Sequence, residues 1–362
     1  MKKIIVDLKE KSYPIIIEGK SFNPLAGILK KTRLGTDAFI ITNARIFNLY
    51  ASSIKKSLKS ADIRTYFYKV KDSEESKSIS TYIKTIQALS KIDVKKRIFL
   101  IALGGGVIGD LCGFVAATYK RGVSYIQIPT TLLAQVDSSI GGKTAIDLES
   151  GKNLVGAIFQ PKLVYSNTTV LKSLPLRQVR SGLAEVVKYG IIDDKNLFSF
   201  LEKNYNKILR LDIKSLEYII SCSSKIKAQV VSFDENETKG LRTILNFGHT
   251  IGHALETATK YTKLNHGEAV SIGMVCASEI ALNLGLLEPN EFARIVSLIR
   301  GLNLPVEAKN ISLNTVFEAF YRDKKFVNGK IRMVIPTRIG HVIVTEDIPF
   351  KEIKKVIKKR VK

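Results

Sequence analysis

Tryptophan is absent from this chain, and histidine is nearly so, with four among 362 residues. Cysteine occurs three times, at Cys112, Cys222 and Cys276, scattered and with no Cys-x-x-Cys spacing. That excludes a disulfide scaffold and a cysteine-built zinc site, and it points to a reducing compartment. No apolar run is long. The longest, 98–109, is too short to span a bilayer and ends at Asp110. Met1-Lys2-Lys3 opens like a signal peptide, but Asp7 and Lys9 interrupt the apolar stretch such a peptide needs. The expectation is a soluble, cytoplasmic protein. Acid is scarce relative to base, 33 Asp and Glu against 57 Lys and Arg, for a net charge of +24. A charge of that size suits nucleic acid. The basic residues are nevertheless spread along the chain, with no aromatic-interleaved patch. The densest cluster, 351–362, carries an apolar helical stripe at Ile353, Val356, Ile357 and Val361. It reads as a terminal helix docked on the body with a solvated basic face, so nucleic acid is not an expected partner.

What the chain does have is concentrated. Two of its histidines, His249 and His253, lie four apart in Leu245-Asn246-Phe247-Gly248-His249-Thr250-Ile251-Gly252-His253-Ala254-Leu255-Glu256, and a third opens His266-Gly267-Glu268. Residues four apart share a helix face, and neutral imidazole is the commonest metal ligand. Two histidines and a carboxylate, with an open fourth position, make a familiar catalytic zinc arrangement. The spacing is not His-Glu-x-x-His, since Thr250 stands where a protease would have Glu. Capping or core histidines are the alternative. The third histidine, with Asn246 and Glu268 in attendance, favours a metal.

Hydrophobic residues make up 45% of the chain, ample for a core, and the length suits two domains. Strands are expected at 2–8, 13–18, 38–42, 63–68, 97–103 and 125–129, with helices at 46–58, 79–89 and 111–118 between them. That alternation implies a parallel sheet covered on both faces. Gly104, Gly106 and Gly109 form Gly-x-Gly-x-x-Gly between a strand and a helix, where backbone can approach a pyrophosphate. No acid follows about 20 residues on, as an ordinary dinucleotide fingerprint requires; Asp72-Ser73-Glu74-Glu75 could hold ribose hydroxyls instead. A tight strand-to-helix turn is the alternative for the glycines. Gly142-Lys143-Thr144 is no P-loop, because Asp137 occupies the place of its first glycine. With Ser150-Gly151-Lys152-Asn153 it makes a phosphate site plausible, although each lysine alone could be a solvated charge. Beyond Pro175 the pattern is helical, at 181–189, 197–203, 213–231, 241–258 and 268–284, with one late hairpin at 331–335 and 342–344. The domains are therefore drawn at 1–175 and 176–362. Glu185 and Lys188 share a helix face, either as a surface pair or with Glu185 as the missing carboxylate ligand.

Four stretches, 103–109, 129–144, 181–190 and 245–253, together resemble the 3-dehydroquinate synthase family, in the family's order and over nearly the whole length from Asp72 to Lys325. The resemblance implies a Rossmann-like, NAD-binding α/β N-terminal domain and an all-helical, metal-binding C-terminal domain, with the active site in the cleft between. It implies a homodimer, and zinc, or else cobalt, on Glu185, His249 and His266. Around NAD it places Asp72, Ser73, Glu74, Glu75, Ser76 and Lys77. The glycine loop adds Gly106, Val107, Ile108, Gly109 and Asp110. Thr130, Thr131, Lys143 and Lys152 follow, and then Val170, Leu171, Lys172 and Ser173. Towards substrate and catalysis it places Asp137, Lys143, Lys188, Asn246 and His253. Lys152, Asn153, Lys227, Arg242 and Lys325 join them, and Arg121 reaches a neighbouring subunit's site. Departures from the family pattern are Ser73 for Gly, Ser173 for Thr, and an extra residue at Lys239 that bears on the placing of Lys227.

The substrate implied is 3-deoxy-D-arabino-heptulosonate 7-phosphate. The chemistry implied is transient oxidation by NAD, loss of phosphate, re-reduction, ring opening and an intramolecular aldol closure. A metal Lewis acid would lower the pKa of the hydroxyl to be oxidised. The rival from another class is a metal-dependent polyol dehydrogenase of the glycerol-dehydrogenase type. Its glycine loop carries a lysine soon after the Asp, which Asp110-Leu111-Cys112-Gly113 lacks. A closer rival is another sugar-phosphate cyclase whose substrate has no carboxylate. Arg242 and Lys227 argue against it, as the carboxylate clamp the resemblance implies.

Overall fold

The computed structural model describes residues 1–94, 96–321, 326–327 and 330–362. The chain divides into two compact units, one of Met1–Leu174 with Leu216–Asn236, the other of Pro175–Ser215 with Glu237–Lys362. The sequence reading ran a single second domain from 176 to 362. Leu216–Asn236 instead belongs with the first unit, for visible reasons. Its Ile219, Ile220 and Val231 are fully buried. Within that unit Lys227 Nζ donates to Asp137 O at 2.8 Å, and Asp7 N–H donates to Ser232 Oγ at 3.0 Å.

The first unit runs β1 (Lys2–Val6), β2 (Tyr13–Glu18), α1 (Asn23–Thr32), β3 (Asp37–Asn43), α2 (Ala44–Lys59), β4 (Arg64–Val70), α3 (Ile79–Ile92), β5 (Ile98–Gly104) and α4 (Gly106–Thr118). It continues with β6 (Tyr125–Pro129), β7 (Lys143–Leu148), β8 (Gly151–Ile158) and β9 (Val164–Asn167). Seven strands form one sheet in the order β1-β2-β9-β6-β5-β3-β4, while β7 and β8 make a separate hairpin. Every pairing in the sheet is parallel except β1 with β2. Strand β5 lies between β6 and β3, and Phe99, Leu100, Ile101 and Leu103 are wholly buried. An interior parallel strand meets protein on both faces, which is why it reads as an unbroken apolar run. Helix α4 packs Ile108, Leu111, Cys112 and Val115 into the same cluster as Phe39, Leu100 and Ala102. The helix begins at Gly106, earlier than the expected 111. Gly104 ends β5, Gly106 and Gly109 lie in the first turn of α4, and the glycines leave room for neighbours. A Cβ on Gly109 would lie 2.9 Å from Gln127 Oε1, and one on Gly104 2.5 Å from Ile108 Cγ1.

The second unit holds α5 (Leu176–Ile192), α6 (Lys195–Leu209), the start of α7 (Ile213–Phe233), α8 (His249–Ala258), α9 (His266–Asn283), α10 (Pro289–Gly301), α11 (Leu313–Tyr321) and α12 (Phe350–Arg360). It is not all helical. Phe326–Val327 pairs with Lys330–Ile331, and Met333–Arg338 with His341–Thr345. The second pairing is the late hairpin, its first strand starting two residues later than expected and its second one residue earlier. The tail helix α12 buries Ile353, Val356 and Ile357, and Lys359 and Arg360 both donate to Glu279 of α9.

The expected single helix over 241–258 is two pieces. A 3₁₀ segment, Leu241–Asn246, ends before Gly248, whose φ of +78° cannot continue a helix, and α8 starts afresh at His249. Gly248 also lets α8 and α9 close on each other. A Cβ on Gly273 of α9 would sit 1.9 Å from the Gly248 carbonyl oxygen, a backbone atom with no rotamer to escape into. Ala is worth about 1 kcal/mol over Gly inside a helix, so propensity alone predicts that Gly273→Ala stabilises. The clash reverses the sign. A net loss on the order of 1–3 kcal/mol is expected, measured by urea unfolding, together with reduced metal retention because the helix contact sets the histidine positions.

Candidate active site

In the second unit, residues 181–190 of α5 are entirely buried, and Glu185 has no solvent exposure. A lone carboxylate there would cost several kcal/mol, so its surroundings compensate it. Lys188, one turn on and 2% exposed, places Nζ on Glu185 Oε2. His249 Nε2 and His266 Nε2 each lie 3.5 Å from Glu185 Oε1. Ligand atoms of Glu185, His249 and His266 all fall within 4.8 Å of one another, a group able to hold a metal ion.

The two imidazoles come from the first residues of α8 and α9, where side chains tilt back past the helix N-terminus. The entry to α9 is tightly specified. Asn265 and Glu268 form a capping box. Arg177 grips Glu268 with both Nε (2.8 Å) and Nη2 (2.7 Å). Gly267 donates its N–H to Ser181 Oγ at 3.0 Å, against an α5 backbone that any side chain would strike.

The far nitrogens decide the chemistry. His249 Nδ1 lies 3.0 Å from Phe247 O. A carbonyl only accepts, so Nδ1 carries the proton and Nε2 presents a lone pair towards Glu185. Burial holds the His249 pKa well below the ordinary value, which keeps that ring neutral. His266 Nδ1 faces Glu256 Oε1 at 3.4 Å. Burial opposes a charge on His266, but Glu185 and Glu256 outweigh it and raise its pKa to about 10. Two carboxylates arranged to stabilise positive charge here favour a divalent cation as they favour the proton. A second set, His253, Glu256 and His266, also meets the distance condition. His253 is exposed, and Glu256 already serves as the acceptor for His266, the outer partner that a metal-bound imidazole usually has. The buried set is therefore the better metal site. Glu256 was missed in the sequence, although His249, His253 and Glu256 recur at i, i+4 and i+7 on one helix face.

Near the metal group, Asn246 ends the 3₁₀ segment three residues before His249, and His253 sets its ring 5.3 Å from that of His249. Arg242 is 4% exposed, with Nε 3.2 Å from Glu237 Oε1. Lys325 lies outside the described residues.

In the first unit, several of the expected nucleotide residues gather around the carboxyl ends of β3, β4, β5 and β6, where α/β sheets bind ligands. The buried hydroxyls Thr42 Oγ1, Ser73 Oγ, Thr130 Oγ1 and Ser138 Oγ have no hydrogen-bond partner among the described residues. Orphaned buried hydroxyls are rare. Gly105 and Gly106 cap and open α4 without side chains, and Ser138 Oγ stands 3.2 Å from where a Cβ of Gly106 would be. This is a cradle of backbone and hydroxyl donors that a phosphate-bearing ligand fits. Asp72 accepts from Asn43 Nδ2 at 2.7 Å, and Ser173 Oγ contacts Tyr50 Oη at 2.7 Å. Thr131 Oγ1 accepts from Ala134 N–H at 3.1 Å. Ile108, Val170 and Leu171 turn their side chains into the core, which leaves only their backbone to a ligand. Ser76 is buried, its hydroxyl on Lys71 O. Glu75 and Lys172 are exposed.

Lys77 is the hub of this region. Its ammonium donates to Asp110 Oδ2 at 2.8 Å and to Asn153 Oδ1, and lies 3.8 Å from Glu74. Burial, partly offset by Lys77, raises the Asp110 pKa to about 6. Lys152 Nζ is 3.3 Å from Glu74 Oε1. Asp137 sits on a π-helical turn, Ala134–Ser138, a rare distortion that favours functional positions, and its carboxylate accepts from Lys227 Nζ at 2.7 Å. Lys143 and Arg121 are exposed, Arg121 at a φ of +63°.

The geometry around Glu185 carries a direct expectation. His249→Ala should strip the metal, as read by elemental analysis of purified protein, and His253→Ala should keep it. Glu256→Gln should keep the fold and weaken metal affinity about 10–100-fold, as outer partners do.

Comparison with known proteins agrees with this picture. The family model described as 3-dehydroquinate synthase N-terminal matches residues 67–181, and the one described as 3-dehydroquinate synthase C-terminal matches 182–326. A 3-dehydroquinate synthase of Caldanaerobacter subterraneus subsp. tengcongensis is 44% identical over 99% of this chain and 100% of its own. One of Thermoanaerobacter pseudethanolicus is 45% identical over the same shares. Among solved structures, the 2-epi-5-epi-valiolone synthase of Streptomyces hygroscopicus subsp. jinggangensis, with NAD+ and Zn2+ bound, superposes with a TM-score of 0.87 at 26% identity, covering 98% of each chain. With both halves of the family model matched in order and relatives this similar from end to end, the chain belongs to the 3-dehydroquinate synthase family.

Proposed function

We propose that this chain is a phosphate-eliminating carbon–oxygen lyase. It converts 3-deoxy-D-arabino-heptulosonate 7-phosphate to 3-dehydroquinate and inorganic phosphate, with NAD and one divalent metal, zinc or cobalt, as cofactors. The observation that carries the reading is the buried carboxylate of Glu185 facing two Nε2 atoms whose rings are oriented from behind by Phe247 O and Glu256. When bound, the metal supplies a Lewis acid for a substrate hydroxyl, and NAD supplies a hydride acceptor restored within each turnover.

The chain's own residues do the rest. Glu185, His249 and His266 are the metal ligands. Lys188, held beside Glu185, places a positive charge where an oxygen loses its proton. His253, exposed one turn from His249, has the mobility and reach to carry protons. Arg242 suits a planar carboxylate through its fork of donors, and Lys227 is a further cation for substrate. Lys143, Lys152, Asn153, Asn246 and Lys325 hold the remaining polar groups, so that one bound geometry serves several successive steps. The nucleotide lies along the hydroxyl and glycine cradle of the first unit and along Asp72 to Lys77. Exposed Arg121 serves the neighbouring subunit's substrate in a homodimer. None of the helices described is long and apolar enough to cross a membrane.

Turnover per cofactor separates this reading from a polyol dehydrogenase. With the heptulosonate phosphate in large excess over NAD, phosphate release should continue for many turnovers per NAD. NADH absorbance should stay at or below the enzyme concentration. Release that stops at one equivalent per NAD, with matching NADH, would overturn the lyase and favour the dehydrogenase.

A further inference from the structure

Lys152 and Asn153 lie in β8, where the β7–β8 pairing is irregular between Ile146 and Leu148 of β7, and Asn153 and Leu154 are exposed. Asn153 adopts a φ of +56°, a left-handed conformation that asparagine takes more readily than most residues and that local contacts can fix. Two contacts do so. Lys77 Nζ donates to Asn153 Oδ1, and Asn153 N–H donates to Asp147 Oδ1 at 2.8 Å. Asp147 is attached a second time. Its own N–H donates to Lys77 O at 2.6 Å, which pairs Ser78 with Asp147 as a parallel bridge. Its carboxylate also lies 3.9 Å from Lys77 Nζ. Asp147 thus joins this part of β8 to the segment following β4. That segment and the end of β7 line a cavity of about 940 Å³, with Glu74, Glu75, Lys77, Asp147, Leu148 and Glu149 among its lining residues.

We infer that Asp147 is a positioning residue. By accepting from Asn153 N–H while its backbone bridges to Lys77, it holds Lys152 and Asn153 where substrate meets them. The identity of that substrate rests on the reaction proposed above; the restraint on β8 does not. What position 147 must supply is a side-chain acceptor. Asn supplies one and Ala does not, while Asp110 still pairs with Lys77 in either variant.

The test compares Asp147→Ala and Asp147→Asn in the full chain with NAD and zinc. The Ala variant should raise KM for the heptulosonate phosphate up to about tenfold, the upper end of what one exposed hydrogen bond contributes, with kcat within about threefold. The Asn variant should return KM to within about threefold of the wild type. Without substrate, trypsin cleavage after Lys152, followed by mass spectrometry, should be about tenfold faster in the Ala variant and near wild type in the Asn variant. If thermal unfolding shows that Asp147→Ala does not fold, Asp147→Ser, with its shorter reach, takes its place. A wild-type chain inactive on the heptulosonate phosphate would overturn the proposed reaction and leave the cleavage result to decide. Unchanged cleavage in the Ala variant, an unchanged KM, or an Asn variant no better than Ala would overturn the role of Asp147.

Discussion

A carboxylate with no access to water is the constraint around which the second unit is built. Glu185 is wholly buried in α5, and burial of an ionised group is tolerated only with close compensation. The compensation is Lys188 on one oxygen and two imidazoles facing the other. Bringing those imidazoles in requires two further helices to begin beside α5. Gly267 presses its N–H on Ser181, and Gly248 and Gly273 let α8 and α9 touch through backbone. The capping box at Asn265 and the Arg177 grip on Glu268 set the start of α9, and with it the position of His266. The packing and the charge balance of this unit are therefore one arrangement. Loosening the glycine contacts moves the histidines, and moving the histidines strands the carboxylate.

The first unit answers a different problem, how to leave polar groups unsatisfied in a buried place. Parallel strands end in hydroxyls at Thr42, Thr130 and, just beyond β4, Ser73, none partnered among the described residues. Glycines at the start of α4 keep side chains away from the same region. Unmatched donors beside a helix N-terminus cost stability until an anionic ligand meets them. Lys77, by contrast, is heavily matched, and it ties the segment following β4 to Asp110 and to the hairpin that bears Asn153.

Much of this was legible in the residues. The alternation of apolar runs and amphipathic segments marked the sheet, because an interior parallel strand such as β5 must be apolar throughout. The spacing of His249 and His253, with His266 beyond, marked a metal, since histidine is so scarce elsewhere. Other features were hidden. The 241–258 segment carries a continuous helical pattern, and only the left-handed Gly248 breaks it. The β7–β8 hairpin went unseen because its alternation is interrupted by glycines and charged residues, although it buries Ile146 in the core beside α4.

What the sequence by itself determined is the kind of chemistry and the order of the parts. Residue types limit which groups can bind a metal or an anion, and hydrophobic periodicity limits which segments can be helix or strand. What only the tertiary structure decided is which of those groups act together. Glu256 and not His253 backs His266, Phe247 contributes through its carbonyl alone, and Leu216–Asn236 returns to the first unit to set Lys227 on Asp137. The physical reason is that each of these depends on distances across packed elements, and on backbone groups that every residue carries alike. No pattern of side chains along a chain records where a carbonyl will point.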